Sequence, residues 1–187
     1  KLFLNFKFTR KSPLRNIPQR IKVTLEVAIG QTKIFRHPVM GLLHALVFWG
    51  FLVILVGSIE MVIDGLFGTE RVLKFLGPVY DVLMAFGDVF AAIIFVSVMV
   101  FLIRRLFLKV SRFYGPEMKA VSKADANLAL SFILLLMVSL LGMNTFYILE
   151  NQSEGTTLAG VYPVSLFIAG LFGPLSSYTI HFWHEFN

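Results

Sequence analysis

From Pro38 to Phe67 the chain runs thirty residues in which only His44, Glu60 and Asp64 can ionise. An uninterrupted apolar stretch of about 20 residues is what a helix needs to cross a bilayer. Three more such runs follow, at about Val79–Leu108, Ala126–Leu149 and Leu158–Trp183. Inside a bilayer every backbone polar group must find its partner within the chain, so runs of this length are helical. The predicted fold class is therefore all-α, an integral membrane bundle of four transmembrane helices. Composition agrees: 57% of the 187 residues are hydrophobic and twenty are Phe, too many for the core of one soluble domain this size.

Short signals mark the joints. Pro38 suits a first helical turn, where its missing N–H costs nothing. Asp125 is expected to cap the third span. DGLFGTERVLKFLGP reads as a loop with a short amphipathic piece, and SRFYGPEMKAVSKAD and ENQSEGTT read as polar loops. Gly173–Pro174 leaves two readings of the fourth run, one straight span or a break with a new helix from Ser176. Ahead of the first span, RNIPQRIKVTLEVAIGQTKIF reads as an amphipathic helix on the bilayer surface. The predicted division is a basic juxtamembrane segment, 1–37, and a membrane domain, 38–187. Residues 1–36 show no signal-peptide pattern.

The net charge of +6 would suit nucleic acid, but its placement excludes that partner. With four spans, fifteen of the seventeen Lys and Arg fall on one face, in residues 1–37 and the loop between the second and third spans. Arg71 and Lys74 remain on the other face, beside Asp64, Glu70, Glu150 and Glu154. The positive-inside rule makes the basic face cytoplasmic, with the N-terminal segment on that side. Membrane lipid is one expected contact of that face. Cysteine is absent, so the chain itself holds no disulfide and no thiolate-bound metal or iron–sulfur cluster.

The histidines carry the chemistry. His37 and His44 are seven residues apart, a step that returns to within about 20° of the same helix face. His44 lies inside the apolar run, and Gly41, Gly50 and Gly57 leave shallow places where a flat group or another helix can approach. A straight fourth run would bring His181 and His184 to the same depth. Imidazole is costly in a membrane helix and is a good axial ligand for haem iron. The candidates for haem ligation are, in order, His44, His184, His181 and His37. The competing reading of His44 is a hydrogen bond between helices.

Among carboxylates, Glu60 and Asp64 form an i, i+4 pair near the outer end of the first span. They are candidates for quinone protons, against a solvated helix end as the favoured bland reading. Asp88 shares a face with Asp81, lies deeper, and is the better candidate for a buried partner such as a histidine or a quinone site. Trp49, Trp183 and the tyrosines fit interfacial belts as well as a cofactor wall. No Walker motif, GxGxxG or nucleophile elbow is present.

Several segments carry a family likeness: RIKVTLEVAIGQTKIFRHPVMGLLHALVFWGFLVILVGSIEMVIDGLFG, FLIRR and EMKAVSKADANLAL. Together they resemble the membrane domain of bacterial iron–sulfur oxidoreductases related to heterodisulfide reductase. That domain is similar to the gamma subunit of respiratory nitrate reductase, a b-haem protein. The likeness covers about residues 20–149, and the GQxKxF, FWGFL and IDGLFGT segments are its specific parts. It implies five membrane helices, with haem histidines on the second and fifth. The first span here matches the second, which gives His44 the ligand role, and the fourth run approaches the fifth, which makes His184 and His181 the nearest partners. The chain is accordingly expected to be a fragment of a five-helix domain. One haem b is expected, with two as the alternative.

The expected function is that of a multi-pass electron-transfer subunit of the bacterial inner membrane. It would link quinone to an iron–sulfur or flavin partner on the cytoplasmic face, as the membrane part of a quinone-linked oxidoreductase. The alternative is a non-catalytic structural anchor of a larger membrane complex. A weaker third reading is a proton or ion path through His44, Glu60 and Asp88.

Overall fold

The computed structural model describes residues 16–107 and 120–172, the second stretch with side chains from Ala124. Every regular element among them is helical. The chain divides into two compact units, residues 1–42 and 43–187.

In the first unit, α1 (Ile17–Thr24) begins with a proline in its first turn, where no intrahelical N–H is lost. Ile17, Ile21 and Leu25 repeat every four residues and lie exposed along one side. The expected amphipathic helix is divided into pieces. A π-helical turn covers Leu25–Ile29 and a 3-10 turn covers Ile34–Arg36. Gly30 is needed between them, because a Cβ there would sit 2.6 Å from the Glu26 carbonyl oxygen. His37 is extended, the conformation favoured just before a proline, and it marks the start of the first span.

Among the described residues three helices are long and apolar enough to cross a membrane, which makes this a multi-pass membrane protein. They are α2 (Pro38–Phe67), α3 (Pro78–Phe107) and α4, which runs from Ala120 to Glu154 with its apolar part at Ala124–Glu154. Most of their apolar side chains face outward, as they must when the solvent is hydrocarbon rather than water.

Two boundaries differ from the sequence reading. Asp125 lies inside α4 rather than at its cap, with the good helix formers Ala120, Lys123 and Ala124 among the residues ahead of it. The same helix continues past Leu149 into ENQSE and stops at Gly155, whose φ of 69° is the usual left-handed exit. Of the expected fourth span, the described part is α5 (Pro163–Phe172), a short apolar helix of 10 residues. Pro174, His181, Trp183 and His184 lie outside the described residues.

In the second unit α3 packs along α4, and α5 packs against both. One core cluster joins Ala91, Ile94 and Val98 of α3 to Met137 of α4. A second joins Tyr80 and Met84 to Ile148, Leu149, Tyr162 and Ala169. Helix α2 meets α3 closely at Gly50, where a Cβ would come 2.9 Å from Phe90 and from Ile94.

Candidate functional site

The loop after α2 is built by a carboxylate. Gly68 turns the chain out of the helix at φ 64°. Asp64 then accepts hydrogen bonds from Thr69 Oγ1 at 2.6 Å, Arg71 N at 2.9 Å and Val72 N at 3.1 Å. Arg71 has φ 54°, a left-handed conformation costly for a side chain of this kind, and the bonds to Asp64 hold it there. Without its acceptor that loop would have three donors to satisfy elsewhere.

One turn earlier, Glu60 is 3% exposed. Its Oε1 accepts from Leu73 N at 2.9 Å and its Oε2 from the Tyr80 hydroxyl at 3.2 Å. The expectation of a solvated helix end thus fails for Glu60, whereas Asp64 is half-buried. The chain folds back over the end of α2 through the short 3-10 turn Val72–Leu76 and brings its own backbone donors to the acids.

Arg71 reaches inward from that loop. Its Nη1 donates to Tyr162 Oη at 2.5 Å and to Tyr80 Oη at 3.4 Å. The guanidinium also lies 4.2 Å from the ring centre of Tyr147, a cation–π distance. Tyr147 and Tyr162 meet edge to face with centres 6.1 Å apart. Among the described residues the guanidinium forms no ion pair with a carboxylate. Burial by itself disfavours its charged form, and the phenolic oxygens of Tyr162 and Tyr80 more than offset this, so its pKa lies above the ordinary arginine value. Burial pushes the Tyr162 hydroxyl well above the ordinary tyrosine value.

Asp88, 1% exposed, faces the start of α5. It accepts from Val164 N at 2.8 Å, from Ser165 N at 2.9 Å and from Ser165 Oγ at 2.5 Å. Asn144 Nδ2 adds a contact at 3.4 Å. The first N–H groups of a helix have no partner inside it, and their positive end favours an anion. Asp88 therefore caps α5 from another helix. The buried partner foreseen for Asp88 exists, but it is a helix terminus.

Between α2, α3 and α4 lies a cavity of about 240 Å³. Glu60, Asp64, Arg71, Asp88, Asn144 and Tyr162 give it polar groups, and Val53, Ile54, Gly57, Leu83, Met84 and Leu140 are among its apolar walls. Glu60, Asp64 and Asp88 thus share one cavity. Arg71, Asn144 and Ser165 escaped the sequence reading as site residues, and Tyr80, Tyr147 and Tyr162 entered it only among the tyrosines of an interfacial belt or cofactor wall. Arg71 carried a signal, as one of two basic residues on the acidic side of the bundle.

The histidines are placed differently. His44 is exposed on α2, and among the described residues no hydrogen bond reaches its ring. His37 is exposed at the extended residue before Pro38. His181 and His184 lie outside the described residues, as does Trp183, while Trp49 is exposed and packs edge to face on Phe48. Three of the four glycines of α2 have separate roles. Gly41 would clash with its own preceding backbone at Ile34, Gly50 faces α3, and Gly57 opens on the cavity, with Met84 Cε 4.0 Å from a Cβ there. No protein-family model, curated protein or solved structure matches the chain.

Proposed function

We propose that this chain is a membrane-embedded electron-transfer subunit that holds a b-type haem through His44 and exchanges electrons with quinone. The observation that carries the reading is His44 itself: an imidazole on an apolar spanning helix, exposed and without a partner among the described residues. A polar ring in hydrocarbon needs a partner, and an iron atom is one that imidazole serves well. His184 or His181 would supply a second ligand, with His37 as the remaining candidate. The haem, when bound, supplies one-electron transfer.

The chain's own residues do the rest. The apolar surface of α2 around His44 excludes water from the ligand. The deepest α2 residues of the cavity, Val53 and Ile54, lie about 15 Å farther along the helix from His44. Glu60 and Asp64 line the cavity at its polar end, where they would accept protons from a quinol. The basic residues Arg20, Lys22, Lys33 and Arg36, all exposed, suit a cytoplasmic iron–sulfur or flavin partner as well as anionic lipid. The setting would be a bacterial inner membrane.

Reduced-minus-oxidised spectra of the purified protein test this. The expected result is a b-type haem difference spectrum in the wild type that is lost in His44→Ala. A wild type without haem absorption, or an unchanged spectrum in the variant, overturns the reading and leaves the structural anchor.

A further inference from the structure

We propose that the cavity between α2, α3 and α4 binds an apolar molecule bearing a neutral ring carbonyl, and that Arg71 is the donor that recognises this carbonyl. Size, polarity and charge lead to this ligand class. A cavity of roughly 150 Å³ already holds a benzene-sized ring, and this one, at about 240 Å³, has room for a substituted ring. Its walls are mostly apolar, with Glu60, Asp64 and Arg71 at one end and Asp88 and Asn144 farther along, a mixed lining that suits an amphiphile.

Most of these acceptors and donors are engaged. Asp88 is occupied by the start of α5, and Tyr80 donates to Glu60. Arg71 differs. Both of its tyrosine contacts use Nη1, which leaves Nη2 and Nε as donors on a guanidinium that lines the cavity and forms no ion pair among the described residues. The tyrosine contacts fix the fork in place before any ligand arrives, so little rotamer freedom is lost on binding.

A donor of this kind recognises an acceptor oxygen, from either a carbonyl or a carboxylate. The neighbouring acids choose between them. Glu60 and Asp64 line the same end and repel a second anion, so the neutral carbonyl is favoured. A second groove, between α3, α4 and α5, offers no such recognition: its one hydroxyl, on Thr145, donates to Leu141 O at 2.7 Å. Quinones belong to the proposed ligand class, so the inference deepens the quinone part of the reading above and is independent of haem.

The test is equilibrium binding to the full chain in lipid nanodiscs, by calorimetry. The probes are a decyl-substituted benzoquinone, decylbenzoate as the anionic counterpart and decylbenzene as the counterpart without a carbonyl. The quinone should bind the wild type tightest. Arg71→Gln should weaken it at least about tenfold, the loss of one charged hydrogen bond, and Arg71→Lys should weaken it less. Gly57→Leu, at a helical position with free space, should block the cavity and abolish binding while the helices stay intact. Equal binding of quinone and decylbenzene, preference for decylbenzoate, or undiminished affinity in Gly57→Leu or Arg71→Gln overturns the inference. So does a wild type that binds none of the probes. Failure of the haem reading shows instead in the difference spectrum and leaves this binding series unchanged.

Discussion

Asp88 on α3 grips Ser165 at the start of α5 twice over, accepting from its backbone N–H at 2.9 Å and from its hydroxyl at 2.5 Å. The pair lies 77 residues apart in sequence and ties the short apolar helix to the bundle. Removal of the carboxylate strands the first donors of α5 in a buried place.

Asp88→Ala should therefore destabilise the protein by about 2–4 kcal/mol, and Ser165→Ala, which leaves the backbone bonds, by about 1 kcal/mol. Denaturant unfolding in detergent micelles measures both. Equal costs for the two variants would show that the cap contributes nothing beyond the hydroxyl.

Glu60 accepts one backbone and one phenolic hydrogen bond in a buried setting. Glu60→Gln keeps an acceptor for Leu73 N and should cost about 1 kcal/mol, whereas Glu60→Ala should cost about 2–3 kcal/mol. The order of unfolding midpoints checks this. An alanine variant as stable as the glutamine variant would return Glu60 to the role of a solvated helix end.

Glycine substitutions separate packing from open space. Gly50→Leu should cost about 1–3 kcal/mol by forcing α2 away from Phe90 and Ile94. Gly57→Ala meets only Met84 Cε at 4.0 Å and should be neutral or stabilising by up to about 1 kcal/mol through helix propensity. Thermal unfolding ranks them; a more damaging change at Gly57 than at Gly50 would contradict the contact between α2 and α3.

His44, exposed and without a hydrogen bond among the described residues, should be dispensable for folding. His44→Leu should change the stability of protein prepared without haem by less than about 0.5 kcal/mol. A larger loss, read from the same unfolding curves, would mean that the ring packs between helices.

The raised pKa of Arg71 has a sign that can be checked. A group held charged more firmly in the folded state gives stability that is complete below its unfolded pKa and is lost only as the pH rises past its raised folded one. The stability gap between the wild type and Arg71→Met should thus be the same at about pH 6 and about pH 9. A gap that changes by more than about 1 kcal/mol would assign the pH dependence to another group.

The sequence by itself determined the membrane helices. A run such as Pro38–Phe67 leaves the backbone no alternative to a helix inside a bilayer, and its start was marked by Pro38, which acts locally. Local signals were weaker at α4, where the helix runs past both expected ends. What only the tertiary structure decided is the company of the charged groups. Glu60 and Asp64 looked like a wet helix end because their partners, Leu73 and Arg71 from a loop and Tyr80 from the first turn of α3, are brought back by a path that no periodicity records. Arg71 met Tyr162 across 91 residues, and Asp88 met a helix start across 76. A hydrogen bond depends on distance in space, and distance between segments far apart in sequence is set by how whole helices pack.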